Sequence, residues 1–466
     1  MSAIHLRSAA RQGPCVAVAL VVLAILVTAS GTMATAATAP SSAPNPPAAG
    51  RPKIELNFWN WWDTWRTDIM NEVIASFEKE YPWIKINNQV QPWSGRESKV
   101  VAAFAAGTPP DILMATRAEV INLADQGLIT PFTPFIKKYG LDLRIFFRFE
   151  IDAFRWEGEI WTFPFPTVSG NDDFYVYNRT LFEEAGLPAN KPPRTWSDLA
   201  AAGRKLTRKR PDGRISQLGL RWTGPQFFPL LYSNSGQFLS DSLKSVTFDS
   251  PEGEETLRYM VQYVHEVNGG VAGQDQFSRD VGGGWGDPFY RGMEAIFFEN
   301  VSVFSAIKQK AAPGFSWGVG MMPYNEKNPK AKSTGVAGMR FGWGYVIPAS
   351  LPKEKQEAAY LFVQYLTTRP EGSGYFALKM GRPSPVIDLN RNPEFLKSNP
   401  NWPQVLLALD TDVVFPAVPG FDKMYNAARA AVDRALAGDL AAEVALKQGA
   451  EEVQKLLSQY WSSRKR

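Results

Sequence analysis

Residues 157–207, EGEIWTFPFPTVSGNDDFYVYNRTLFEEAGLPANKPPRTWSDLAAAGRKLT, set the reading of the whole chain. Ile160–Phe163 reads as a short strand running into a proline-punctuated connection, and Asp173–Tyr177 reads as a second strand. A helix follows over about Thr180–Ala185, stopped by Gly186-Leu187-Pro188 and a Pro192-Pro193 loop. Thr195 is placed to N-cap another helix, with the Asp198 carboxylate three residues on, facing that helix's exposed N–H groups.

Outward from this stretch, the first half alternates strand and helix patterns. Ile54–Asn60, Ile84–Val90 and Asp111–Ala115 read as strands. Asp63 can N-cap a helix whose Ile69, Met70, Val73, Ile74 and Phe77 share one face; further helices fit Ser94–Ala106 and Ala118–Gln126. Such interleaving implies a mainly parallel sheet with covered faces, whose ligands sit at the carboxyl ends of strands. Those ends are Trp59–Asp63 and Ala115–Arg117. Later segments give a helix over Pro251–Val267 and strands near Phe298, Gly318–Pro323 and Val346–Ile347. Helices then fit Pro352–Thr367, Lys423–Ala437 and Leu440–Tyr460.

At 466 residues the chain is long enough for two domains. Of its 15 Trp, 15 Tyr and 29 Phe some belong to the core, and that many Trp also suits a cleft that grips a flat-faced, partly polar ligand. The formal charge of +4 and the absence of a Lys/Arg stripe give no electrostatic case for nucleic acid. Arg7 and Arg11 precede an apolar run, Val16–Ala29, and small residues through Ala36, so residues 1–36 read as an export signal. Residues 37–52 are a Pro/Ala/Ser linker. The one cysteine, Cys15, lies before the apolar run, which excludes disulfides and thiolate sites from the exported chain.

Four tryptophans, Trp59, Trp61, Trp62 and Trp65, cluster at a strand end and helix start, and one core cannot take them all. Trp59 and Trp65 are expected in the core; Trp61 and Trp62, in the loop between, are expected on a binding surface with Asn60 and Asp63. Asn171-Asp172-Asp173 reads equally as a turn or as carboxylates accepting ligand hydroxyls. Arg382 lies on a loop, free to meet hydroxyls or a carboxylate. Trp93, Arg96, Trp222, Trp285 and Asp287 come from segments near the expected strand ends.

The order YNR-x-LF-xx-AGLP-x(4)-PRTW-xx-L resembles extracellular solute-binding proteins that feed ATP-driven sugar importers, the family containing the maltodextrin-binding proteins. AAGTPPD and LADQGLITPFTPFI are similar to that family's first lobe. The resemblance implies a two-lobe α/β fold of the type II periplasmic-binding class, with the ligand cleft between lobes. It places residues 53–167 and 338–395 in an N-terminal lobe and 168–337 and 396–466 in a C-terminal lobe. The crossings would lie near Pro166–Gly170, Ser333–Gly338 and Pro393–Asn401. It puts the Trp61–Trp62 loop on the cleft, Asp172 where some members hold sugar, and Trp343 where an aromatic often meets ligand; a core Trp in a Gly-rich connection is the plainer reading of Trp343. One departure stands out. Where the family usually has Gly followed by Trp, this chain reads Phe297-Phe298-Glu299-Asn300, so Glu299 and Asn300 would offer polar contacts in place of a stacking ring.

No catalytic set is apparent. His265 is the only histidine beyond the leader, so Ser-His-Asp, Cys-His and zinc arrangements have no basis. The expectation is a non-enzymatic receptor, monomeric and without cofactor or metal. It would be exported to the periplasm or outer membrane face and deliver a carbohydrate to a membrane permease. Two alternatives stay open: a same-fold receptor for a non-sugar such as a glycerol phosphate, and a glycoside hydrolase with a carboxylate pair drawn from the 46 acidic residues.

Overall fold

The computed structural model describes residues 52–168, 174–339 and 342–464. The expected leader, nearly all of the linker, and Asn171, Asp172 and Asp173 lie outside the described residues. The strands in chain order are β1 (Ile54–Asn60), β2 (Ile84–Val90), β3 (Ile112–Thr116), the short pair β4 (Arg155–Trp156) and β5 (Glu159–Ile160), β6 (Phe174–Asn178), β7 (Arg208–Lys209), β8 (Ile215–Leu220), β9 (Glu294–Phe298), β10 (Trp317–Met321), β11 (Val336–Ala337), β12 (Trp343–Val346) and β13 (Val413–Val414).

Nine of these strands build the two larger sheets of a two-lobe α/β fold, and β4–β5 and β11–β13 form two-stranded pairs. The first runs β12-β3-β1-β2, with β1 parallel to both β2 and β3, and β12 antiparallel to β3. In β1, Leu56, Phe58 and Asn60 are buried, the period of two expected of a covered strand face. The second sheet runs β10-β6-β9-β8-β7 and is mixed rather than mainly parallel: β8–β9 is parallel, and the other pairings are antiparallel. Every residue of β6 and β9 is buried, so both faces of this sheet are covered despite the mixed order.

Helix α1 (Trp65–Glu80) buries Ile69, Met70, Val73, Ile74 and Phe77, as their spacing predicts. Its start differs from expectation. The N-cap is Thr64 at φ 55°, with no side-chain cap, and Asp63 instead pairs with Arg66. Helix α2 spans Arg96–Ala105 and α3 spans Arg117–Asp125. In α3, Thr116 and Glu119 form a reciprocal capping box. Thr195 caps the helix Trp196–Leu206, accepting from Asp198 N at 3.2 Å.

Where the chain leaves and rejoins the first sheet, its segments bond to one another. Gly338 N donates to Val168 O at 3.0 Å, and β11 pairs in parallel with β13. Glu150, fully buried, accepts Val168 N at 2.8 Å and the Thr167 hydroxyl. Arg117, also buried, donates to Ala153 O at 2.6 Å and Gly338 O at 3.0 Å. Burial lowers its guanidinium pKa to about 10. Phe395, Trp402, Val405 and Ala408 pack in one cluster with Phe174 and Val176 of the second sheet. The helix Ala442–Ser463 packs on Phe421–Ala437 and Pro251–Asn268, and its end reaches the first lobe. There Tyr460 donates to Asp125 at 3.0 Å, and Arg464 pairs with Asp125 at 3.1 Å and with Glu157.

Candidate functional site

A cavity of about 370 Å³ opens at the carboxyl ends of β1 and β3 and is faced across the crossing by the segment after β9. This is where ligand contacts gather in open α/β sheets. The first lobe contributes Trp61, Trp62, Asp63, Arg66, Trp93, Met114, Trp343 and Arg382; the crossing adds Pro166 and Thr167. Asn300, Val301 and Ser302 supply the far wall.

The aromatic wall is held by hydrogen bonds and packing within the protein. Trp61 Nε1 donates to Met114 O at 3.0 Å, and Trp62 Nε1 donates to the Tyr345 hydroxyl at 3.0 Å. The Trp62 ring packs on Phe376 at 5.4 Å. Both indoles are therefore largely buried, at 6% and 5% exposure, and present only part of their surface to the cavity. Trp93 is 58% exposed and meets Trp343 edge to face at 5.7 Å. Trp65, expected in the core, is 42% exposed instead. With the helix starting at Trp65, one residue after a left-handed Thr64, the core-facing positions begin at Ile69.

Arg96 stands behind this wall. Its guanidinium lies 5.8 Å from the Trp61 ring, 5.3 Å from Trp93 and 5.6 Å from Trp343, within cation–π range of all three. Glu119 holds its Nη1 at 2.5 and 2.7 Å. Arg96 is buried and outside the cavity lining, so it supports the rings that line the cavity. Asn60, fully buried, is likewise a brace: it donates to Asn88, and its Oδ1 accepts Trp62 N at 2.9 Å.

Other expected site residues separate. Trp222 is fully buried in the second lobe, packed on Phe298 at 5.0 Å, with its backbone bonded to Gln274; it belongs to the core. Asp287 accepts Lys310 at 2.9 Å and Gly284 N at 2.7 Å and lies outside the cavity lining. Trp285, 56% exposed, donates to Glu299, whose other oxygen takes Asn300 N at 2.9 Å and Nδ2 at 2.6 Å. Trp285 and Glu299 thus form a polar group next to the lining residue Asn300.

Arg66, Met114, Pro166, Thr167, Val301, Ser302 and Gly342 line the cavity beyond the expected set, and Asn300, expected to offer polar contacts, lines it as well. Arg66 had a local signal, lying four residues after Trp62 in the first turn of a helix at a strand end. Ser302 had none before the helix Ser302–Lys310 was in place. Arg382 is the cavity's second arginine. Burial, helped by the Arg66 charge, lowers its guanidinium pKa to about 10, against an opposing pull from Glu299.

The chain belongs to the bacterial extracellular solute-binding protein family, whose profile matches residues 63–372. Among solved structures, it is similar to the sugar-binding protein MalE from Xanthomonas citri, with TM-score 0.74 and 18% identity over 89% of this chain and all of that one. It is also similar to Lmo0181 from Listeria monocytogenes in complex with cycloalternan, with TM-score 0.71 and 22% identity over 87% of this chain and 99% of that one. The sn-glycerol-3-phosphate-binding periplasmic protein UgpB of Escherichia coli (strain K12) is 23% identical over 378 residues, covering 74% of this chain and 78% of that protein.

Proposed function

We propose that this protein is an exported, monomeric receptor that captures a carbohydrate in the cleft between its lobes and hands it to an ATP-driven permease without chemical change. The observation that carries the reading is the wall of Trp61, Trp62, Trp93 and Trp343 facing Asn300 and Ser302 across one cavity. Indole faces cover the C–H faces of a sugar ring, while amides, hydroxyls and guanidiniums meet its hydroxyl edge. The two walls come from different lobes, so both act together only when the lobes are closed. A ligand touching both therefore shifts the population toward closure. The periplasm or outer membrane face is the expected location, in keeping with the family. The domain boundaries expected from sequence, with lobes exchanging near 167, 338 and 395, form part of the same reading.

A thermal-shift series against mono-, di- and oligosaccharides tests it, with amino acids as contrast. A ligand at about a hundredfold over its Kd adds about 2.7 kcal/mol, a shift of a few degrees. A sugar that stabilises the protein and is recovered intact is the expected result. Consumption of the sugar would move the reading to a hydrolase, and silence across all sugars would remove it.

A further inference from the structure

Resting on that receptor reading, we propose that the solute carries an acidic group, a carboxylate or phosphate on a polyhydroxylated body, seated between Arg66, Arg382 and the amino end of the helix Ser302–Lys310. The two guanidiniums and Ser302 line the same cavity. Arg382 Nε is buried and has no hydrogen-bond partner among the described residues. Glu299, the carboxylate that acts on Arg382 electrostatically, has its oxygens taken by Trp285 and Asn300 and forms no ion pair with it. Arg66 is shared with Asp63, but that carboxylate is 58% exposed, and an exposed pair is easily exchanged for a better one.

The opposite wall also offers donors, although the Glu299 carboxylate stands behind Asn300. The helix Ser302–Lys310 has no acidic residue in its first turn and no side-chain cap at Val301. Its amino end, which carries the positive end of the helix dipole, meets the cavity at Ser302. Asn300 takes Ser302 N and Val303 N, which leaves the Ser302 hydroxyl as a donor toward a ligand. Closing the lobes withdraws water from two like charges and a helix terminus. A neutral polyol answers that with hydroxyls alone, whereas an oxyanion takes charge-assisted, forked bonds from arginine. Asp63 is the one cavity-lining carboxylate among the described residues, and a ligand acid that takes over Arg66 displaces only its exposed contact.

Calorimetric titration of the full chain with matched pairs tests the inference: galacturonate against galactose, digalacturonate against α-1,4-galactobiose, glucose 1-phosphate against glucose, and glycerol 3-phosphate against glycerol. The acidic member of at least one pair should bind about tenfold tighter or more than its neutral partner. Its affinity should also fall as salt rises from about 20 to about 300 mM. A response to the uronates alone assigns a carboxylate, and one to the phosphates alone assigns a phosphate. Arg382→Gln should erase the preference for the acidic member, and Arg66→Gln should reduce it, with melting curves confirming that both variants fold. Neutral sugars binding as tightly as their acidic partners would overturn the acidic-group inference and leave the carbohydrate receptor standing. A phosphate pair responding while no sugar binds would keep the anion site and remove the carbohydrate. No binding by any compound would remove both.

Discussion

Arg96 Nη1 bonds to both carboxylate oxygens of Glu119, at 2.7 and 2.5 Å, while the same guanidinium faces three indole rings. One buried cation thus links the cap of α3 to the aromatic wall, since Glu119 also accepts Thr116 N at 2.8 Å. Replacing Arg96 by Met keeps bulk and removes charge. The unpaired Glu119 and the loosened rings should cost about 2 kcal/mol of stability and about tenfold in ligand affinity. Arg96→Met/Glu119→Gln should recover part of the stability but not the affinity. Melting curves and titration of all three proteins check this, and an unchanged affinity in Arg96→Met would remove the supporting role.

Glu150 is fully buried and accepts Val168 N and the Thr167 hydroxyl where the chain leaves the first lobe. Glu150→Gln turns one acceptor oxygen into an N–H donor against those groups. The expected cost is about 1–3 kcal/mol, the penalty of an unsatisfied buried polar group. The distribution of open and closed forms in small-angle scattering should change with it. A variant indistinguishable from the parent by melting and scattering would count against this arrangement.

Trp222 and Trp343 separate stability from binding. Trp222→Ala empties a fully buried site and should cost about 3–5 kcal/mol. Trp343→Ala removes a partly exposed cavity wall and should cost affinity while the unliganded Tm moves by only a few degrees. The two variants measured side by side, by melting and by titration, should fail in opposite assays.

The Arg464 contact carries a pH signature. Its hydrogen bond holds the Glu157 carboxyl below the ordinary carboxylate range. A depressed carboxylate contributes stability above the unfolded-state pKa, near about 4.3, and loses it as pH falls through the folded value. Arg464→Ala should therefore melt below the parent at neutral pH, with the gap closing as the pH falls below about 4. A gap that stays constant across that range would assign the contact to packing alone.

Much of the fold was legible because strand and helix periods are local properties. The α1 face from Ile69 to Phe77, the Thr195 cap and the strands β1 to β3 all fall where spacing puts them. The cleft was legible only as a region. Trp61 and Trp62 sit deeper than expected, and Trp65 sits outside, because Trp62 and Tyr345 are 283 positions apart in sequence and only the fold joins them. Asn60 and Arg96 have the residue types of ligand contacts, yet they spend their polar groups on Asn88, Trp62 and Glu119. Trp222 follows a strand whose end reaches the core and not the cleft. Ser302 and Thr167 were invisible because a hydroxyl at a turn has no pattern until the opposite lobe stands across from it.

The crowding of indoles around one guanidinium also makes the protein its own optical probe. Trp93 and Trp343 emit from a place where the Arg96 charge and water compete for the excited dipole, and a bound solute would displace that water and, if acidic, add a charge of its own. Intrinsic fluorescence should follow occupancy of the cleft without a label, and substitution of Arg96 should shift the resting spectrum before any ligand is added.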